Sequence, residues 1–160
     1  MKRKIIGAVL VVAVLYIVID QFKGDVIGWY VDNHMPRPTA TPSAPAPDQI
    51  ALTWSDDPAT TQTLQWRTAP SVTEGRVEYR AAEAEASTAE AVRTVIADRL
   101  VENDPENARF TATLTGLAPG TAYTYRVGDP ASGQWSDWES FATAPAEAKP
   151  FSFVYLGDPQ

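Results

Sequence analysis

Five segments between Ile50 and Val127 alternate apolar and polar residues with a period of two. Ile50, Leu52 and Trp54 alternate with Ala51 and Thr53, Leu64 and Trp66 with Gln65 and Arg67, and Val77 and Tyr79 with Glu78 and Arg80. Phe110, Ala112 and Leu114 alternate with Thr111 and Thr113, and Tyr123, Tyr125 and Val127 with Thr124 and Arg126. Each segment has one apolar and one wetter face, the pattern of a half-buried antiparallel strand. Turn-forming runs punctuate them: Asp56-Asp57-Pro58, Pro70-Ser71, Glu74-Gly75, Asp104-Pro105, Pro119-Gly120 and Asp129-Pro130. Short strands at this spacing predict a mainly β fold, an antiparallel sandwich over residues 48–145. The stretch Ala81 to Leu100 carries two signals. Ala81 to Ala91 is rich in Ala and Glu, which favours helix, whereas Val92-Arg93-Thr94-Val95-Ile96 is mostly β-branched. The reading adopted is a loop or short helical turn over 83–90 and a strand over 91–101.

The pattern is different before Asp48. Lys2-Arg3-Lys4 precedes an apolar run from Ile5 to Ile19. As a helix these residues span roughly 22 Å, short of the ~30 Å hydrocarbon core and equally the length of a signal-peptide core, with a buried core helix as the remaining alternative. The exit, Tyr-Ile-Val-Ile-Asp-Gln-Phe-Lys-Gly-Asp, lacks the small residues a signal peptidase needs. An uncleaved membrane anchor over residues 1–24 is therefore favoured over a cleaved signal, which would leave a secreted product. The basic N-terminus places Lys2, Arg3 and Lys4 in the cytoplasm and the rest of the chain outside it. Residues 25–47 are expected to be a juxtamembrane segment and linker. Trp29 and Tyr30 sit either at the outer interface or in a short turn packing by itself. Pro36 to Pro47 has five Pro in twelve residues, predicting an extended spacer, with a ligand for a proline-binding domain as the lesser alternative. His34, just before it, is expected to be a solvated linker residue.

Composition narrows the chemistry. The 160 residues contain no Cys and one His, which excludes a disulfide scaffold, a thiolate metal site and a cysteine nucleophile. The net charge is -7, and the acidic excess lies from Asp48 onward. A field of that sign repels phosphate backbones, so nucleic acid is not an expected partner.

Two motifs are more specific. Leu114-Thr115-Gly116-Leu117-Ala118-Pro119-Gly120-Thr121-Ala122-Tyr123-Thr124-Tyr125-Arg126-Val127 resembles the E–F corner of fibronectin type III domains. There Tyr123 packs its ring on the core and ties its hydroxyl to the upstream turn, while Leu117 plugs the end of the core. Trp135-Ser136-Asp137-Trp138-Glu139-Ser140 resembles the Trp-Ser-x-Trp-Ser signature of cytokine receptor modules, with one extra residue before the last Ser. Trp138 and its neighbours are read as packing support, with Arg126 as a stacking cation.

After the linker Ala144 to Pro150, Phe151-Ser152-Phe153-Val154-Tyr155-Leu156 is almost wholly apolar and runs into Gly157-Asp158-Pro159-Gln160. Such a strand is expected to be buried on both faces, as in a layered α/β sheet, with a carboxylate at its C-terminal end where such sheets place ligands. A fibronectin-like domain followed by Phe-x-Phe-x-x-x-Gly-Asp-x-Gln resembles the start of the purple acid phosphatase and calcineurin-like metallophosphoesterase family. The resemblance implies that residues 146–160 begin a truncated catalytic domain, that Asp158 is the first metal-ligand aspartate, and that a metal pair and a phosphate-ester substrate belong to the full-length parent. Where many relatives place a metal-binding His, this sequence has Gln160, whose amide oxygen can bind a hard cation. The implied function is the membrane anchor and accessory domain of an exported metal-dependent phosphoesterase, inactive as this fragment. The alternative is a non-enzymatic surface module that binds protein or polysaccharide.

Overall fold

The computed structural model describes residues 2–82 and 84–157, with side chains from residue 16 onward. Asp158, Pro159 and Gln160 lie outside the described residues. Among the described residues one helix, α1 (Lys2–His34), is followed by nine strands: β1 (Asp48–Thr53), β2 (Gln62–Thr68), β3 (Arg76–Ala81), β4 (Ser87–Glu90), β5 (Val92–Ala97), β6 (Glu106–Leu114), β7 (Ala122–Asp129), β8 (Gln134–Trp135) and β9 (Glu139–Ala142).

The helix continues through the segment expected to be juxtamembrane, so Trp29 and Tyr30 are helical. His34 is its last residue rather than a linker residue: its ring stacks on Tyr30 at 4.7 Å, and Nδ1 lies 3.3 Å from the Tyr30 carbonyl oxygen. Pro36 stops the helix, because it offers no N–H and disfavours the helical region at the residue before it. Among the described residues no helix is long and apolar enough to cross a membrane. Most of the apolar run falls on residues 5–15, whose side chains lie outside the described ones.

The strands form two antiparallel sheets, in the order β1-β2-β6-β5 and β4-β3-β7-β8, with β9 also paired to β7. Leu64, Trp66, Ala108, Phe110, Ala112 and Leu114 from the first sheet face Val77, Tyr123, Tyr125 and Val127 from the second, all buried. Trp66 and Phe110 are directly paired across β2 and β6 and stack at 5.4 Å. Gly75 admits that stack: a Cβ there would lie 2.3 Å from the Phe110 ring. The period-two reading therefore holds for β3, β6, β7 and the inward face of β2; the expected wet face of β2 is itself mostly covered, with Thr63 and Arg67 buried and only Gln65 exposed.

It fails at the edges. On β1 only Ile50 packs on the core, while Leu52 is at the margin of exposure and Trp54 is 70% exposed. β1 has one neighbouring strand, and a bulge between Asp48 and Ala51, with Gln49 at φ 49°, turns it off the sheet. The expected loop or helical turn at 83–90 is half strand, because Ser87–Glu90 pairs with β3. Ladder bonds to a central strand outweigh the helix propensity of Ala and Glu. The strand expected over 91–101 ends at Ala97 and belongs to the other sheet, so the chain changes sheets at Ala91, whose N–H donates to the Gly75 carbonyl at 2.9 Å.

The Pro-rich segment is docked against the sandwich rather than free. Ala44 accepts the Ala69 N–H at 2.7 Å, Pro38 accepts the Glu102 N–H at 3.3 Å, and Ala40 exchanges two bonds with the Asn103 side chain, 2.8 and 2.6 Å. At the other end of the chain the expected buried strand is absent. Residues 151–157 have no regular structure, and Phe151, Phe153, Val154, Tyr155 and Leu156 are 77–86% exposed. No strand among the described residues pairs with them, so their apolar faces have no sheet to enter.

Candidate functional site

Two built clusters lie on the sandwich. The first gathers at the β7 end of the five-stranded sheet. Leu117 is buried, and its N–H donates to the Thr60 carbonyl at 2.9 Å. Pro119 and Gly120, the latter at φ +61°, reverse the chain into β7. The Tyr123 ring stacks on Phe141 at 5.4 Å, and its hydroxyl accepts the Ala118 N–H at 2.9 Å. The upstream turn is thus tied to the strand by one side chain.

On the outer face of that sheet, Arg126 lies between two indoles, 4.6 Å from the Trp135 ring and 5.0 Å from that of Trp138. Arg80, which the sequence reading did not single out, covers Trp138 at 5.0 Å. Glu78 on the next strand accepts from Arg126 Nε at 2.7 Å. The extra residue, Glu139, opens β9 opposite Tyr125, and the break between the two short strands lies in the part of the motif shared with the receptor signature. β8 and β9 both pair with β7 but are interrupted at 136–138, where Ser136 exchanges bonds with the Val127 backbone. That interruption sets both indoles beside Arg126. Trp138 remains 41% exposed, so the stack is a half-open surface.

The second cluster was not legible in the sequence. Arg67 points to the outer face of β2 and is nevertheless 2% exposed. Its guanidinium bonds Asp48 through Nε at 2.7 Å and Nη2 at 2.5 Å. Nη1 reaches the Thr41 carbonyl at 3.0 Å and Asp104 Oδ2 at 3.1 Å. Ser43 Oγ donates to Asp104 Oδ1 at 2.7 Å. The Ser43 hydroxyl, its backbone N–H and the charges of Arg67 and Arg109 together hold the Asp104 carboxyl below the usual range, against the opposing effect of burial. The Asp48 hydrogen bond likewise favours the charged form of Arg67. The cluster clamps the Pro-rich strap to the sheet. Its partners come from four separate stretches of chain, so no local spacing marks them.

Neither cluster is a metal centre. Among the described residues no three His, Cys, Asp or Glu side chains come together as a metal site would require. Asp158 and Gln160, the two candidates from the sequence, lie outside the described residues, so their geometry enters no argument here.

Residues 47–143 match the family described as purple acid phosphatase, N-terminal domain. The chain belongs to that family. In fold this domain is similar to part of a purple acid phosphatase from yellow lupin (Lupinus luteus) seeds, with a TM-score of 0.53 and 22% identity over 62% of this chain. The match covers 20% of the lupin chain, so this chain spans about a fifth of that enzyme's length. A fibronectin type III domain of the human collagen alpha-1(XX) chain also matches, with a TM-score of 0.40 and 24% identity over 74% of this chain and 99% of that one. Among curated proteins, none matches the chain. The domain assigned by the family match begins and ends with the sandwich: it takes in the tyrosine corner, the tryptophan stack and the Arg67 side of the clamp, and leaves out the helix and the exposed C-terminal tail.

Proposed function

We propose that this chain carries the accessory domain of an exported metal-dependent phosphoesterase, with α1 as its membrane anchor and the sandwich on the extracytoplasmic side. The observation that carries the reading is the family match over residues 47–143. Lys2, Arg3 and Lys4 before the apolar run support the orientation. The phosphate-ester substrate and the dinuclear metal centre used by purple acid phosphatases are proposed for the whole enzyme. Asp158 would be its first metal ligand and Gln160 a candidate second, both following the apolar segment 151–156, which would become a strand only beside the sheet of the whole enzyme. Residues 1–160 by themselves are proposed to be inactive, because Asp158 and Gln160 cannot hold two metals between them. In two-metal phosphoesterases such ions activate water for attack at phosphorus.

The coding sequence downstream of codon 160 tests this directly. A second Gly-Asp motif and a Gly-Asn-His segment within about one domain length are expected. Their absence would leave a non-enzymatic surface module as the reading. Residues 1–160 should also fail to hydrolyse p-nitrophenyl phosphate with added iron, zinc or manganese. Metal-dependent turnover abolished by Asp158→Asn would show that this chain is catalytically sufficient and overturn the accessory role.

A further inference from the structure

The helix α1 does not end with the apolar run. It continues as Asp20–His34, outside the sandwich, with large side chains in the open. Ile19, Phe22, Val26 and Trp29 follow one another at alternating steps of three and four residues and are 65%, 58%, 62% and 60% exposed. Asp20, Gln21, Lys23, Asp25 and Asp32 occupy positions between and around them, together with the equally exposed Ile27 and Tyr30. The same spacing extends back through the sequence to Ile5, Ala8, Val12 and Leu15 and forward to Asn33. It is a heptad repeat in which Ile5, Val12, Ile19, Val26 and Asn33 share one core position and Ala8, Leu15, Phe22 and Trp29 the other.

That period has a physical meaning. An apolar seam repeating every 3.5 residues on average stays in register only with a second helix that supercoils around it. Alone, a segment the length of Asp20–His34 is a marginal helix in water. The hydrocarbon core is a poor cover for it, because Asp20, Lys23 and Asp25 place charges beside the seam. The composition of the core positions indicates the partner. Parallel two-stranded coils place β-branched residues at the first kind of position, as here at four successive ones, and a polar Asn at the fifth sets register and strand number by meeting its own counterpart; of the second kind, only Leu15 is the leucine such coils use. These features are self-complementary.

We propose that α1 pairs with α1 of a second copy as a parallel two-stranded coiled coil through Ile19, Phe22, Val26, Trp29 and Asn33. This does not depend on the phosphatase reading. The native chain has no cysteine, so single substitutions report on the seam. The full chain in dodecylmaltoside micelles, under mild oxidation, should cross-link to itself at Ile19→Cys, Phe22→Cys and Val26→Cys. Gln21→Cys, Gly24→Cys and Val31→Cys should cross-link far less. By sedimentation at equal concentration the native chain should be about twice the mass of its Val26→Asp variant, with the sandwich folded in both by circular dichroism. Cross-linking without the three-four period, a maximum on the Gly24 and Gly28 face, or a monomeric native chain would each overturn the proposal.

Discussion

A single hydroxyl and a single carboxyl show how residue-level chemistry is set by tertiary neighbours. Tyr123 is an acceptor in the corner, taking the Ala118 N–H. Tyr123→Phe keeps the ring stack on Phe141 but leaves that N–H without its partner. The expected loss is about 1–3 kcal/mol in chemical denaturation of residues 36–145; an unchanged midpoint would mean that the hydroxyl contributes nothing to the corner. Asp104 makes a pH prediction. Its carboxyl titrates below the ordinary value, chiefly through the Ser43 hydroxyl. A depressed folded-state pKa stabilises fully above the unfolded value, about 3.9, and that stability is lost as pH falls through the folded value. Stability should therefore decline from about pH 4 downward. Ser43→Ala brings the folded value back toward the ordinary one, so the variant should lose less over the same acid range. Equal acid dependence in the two proteins would remove Ser43 as the cause.

At the scale of elements, the strap is bonded to the sandwich it precedes. Pro36–Pro47 has the composition of a free spacer, because Pro supplies neither helix nor ladder donors. Its carbonyls can still accept, and they do: Pro38, Ala40, Thr41 and Ala44 each take a bond from the sandwich. Removing the strap withdraws the Thr41 carbonyl from Arg67 and the Ser43 hydroxyl from Asp104. Residues 48–145 should thus unfold at lower denaturant than residues 36–145, with the same slope. Coincident curves would show that the strap rests on the domain without stabilising it. β4 and β5 give the complementary lesson. The β-branched run of β5 was readable, whereas the Ala- and Glu-rich β4 became a strand only because β3 had an open edge beside it.

For the whole molecule, the balance of covered and uncovered surface decides behaviour. The sandwich closes its own core, but Phe151–Leu156 remains outside it with its apolar side chains exposed. An unpaired, β-prone apolar segment is an association hazard. Residues 36–160 should sediment as larger species than residues 36–145 at equal concentration. Identical monomers would show that the tail is satisfied within this chain. Much of the architecture was determined by sequence alone. Alternation of period two fixes which faces of β2, β3, β6 and β7 turn inward, since side chains of a strand point to opposite sides in turn. The Leu117–Val127 spacing specifies the corner because each of its contacts lies within a few residues. Only the tertiary structure decided the burial of Arg67, the docking of the strap, the exposure of Leu52 and Trp54 and the placement of Arg80 on Trp138. Each of these depends on residues far apart in sequence, or on whether a strand has one neighbour or two, and periodicity along one segment carries no information about either.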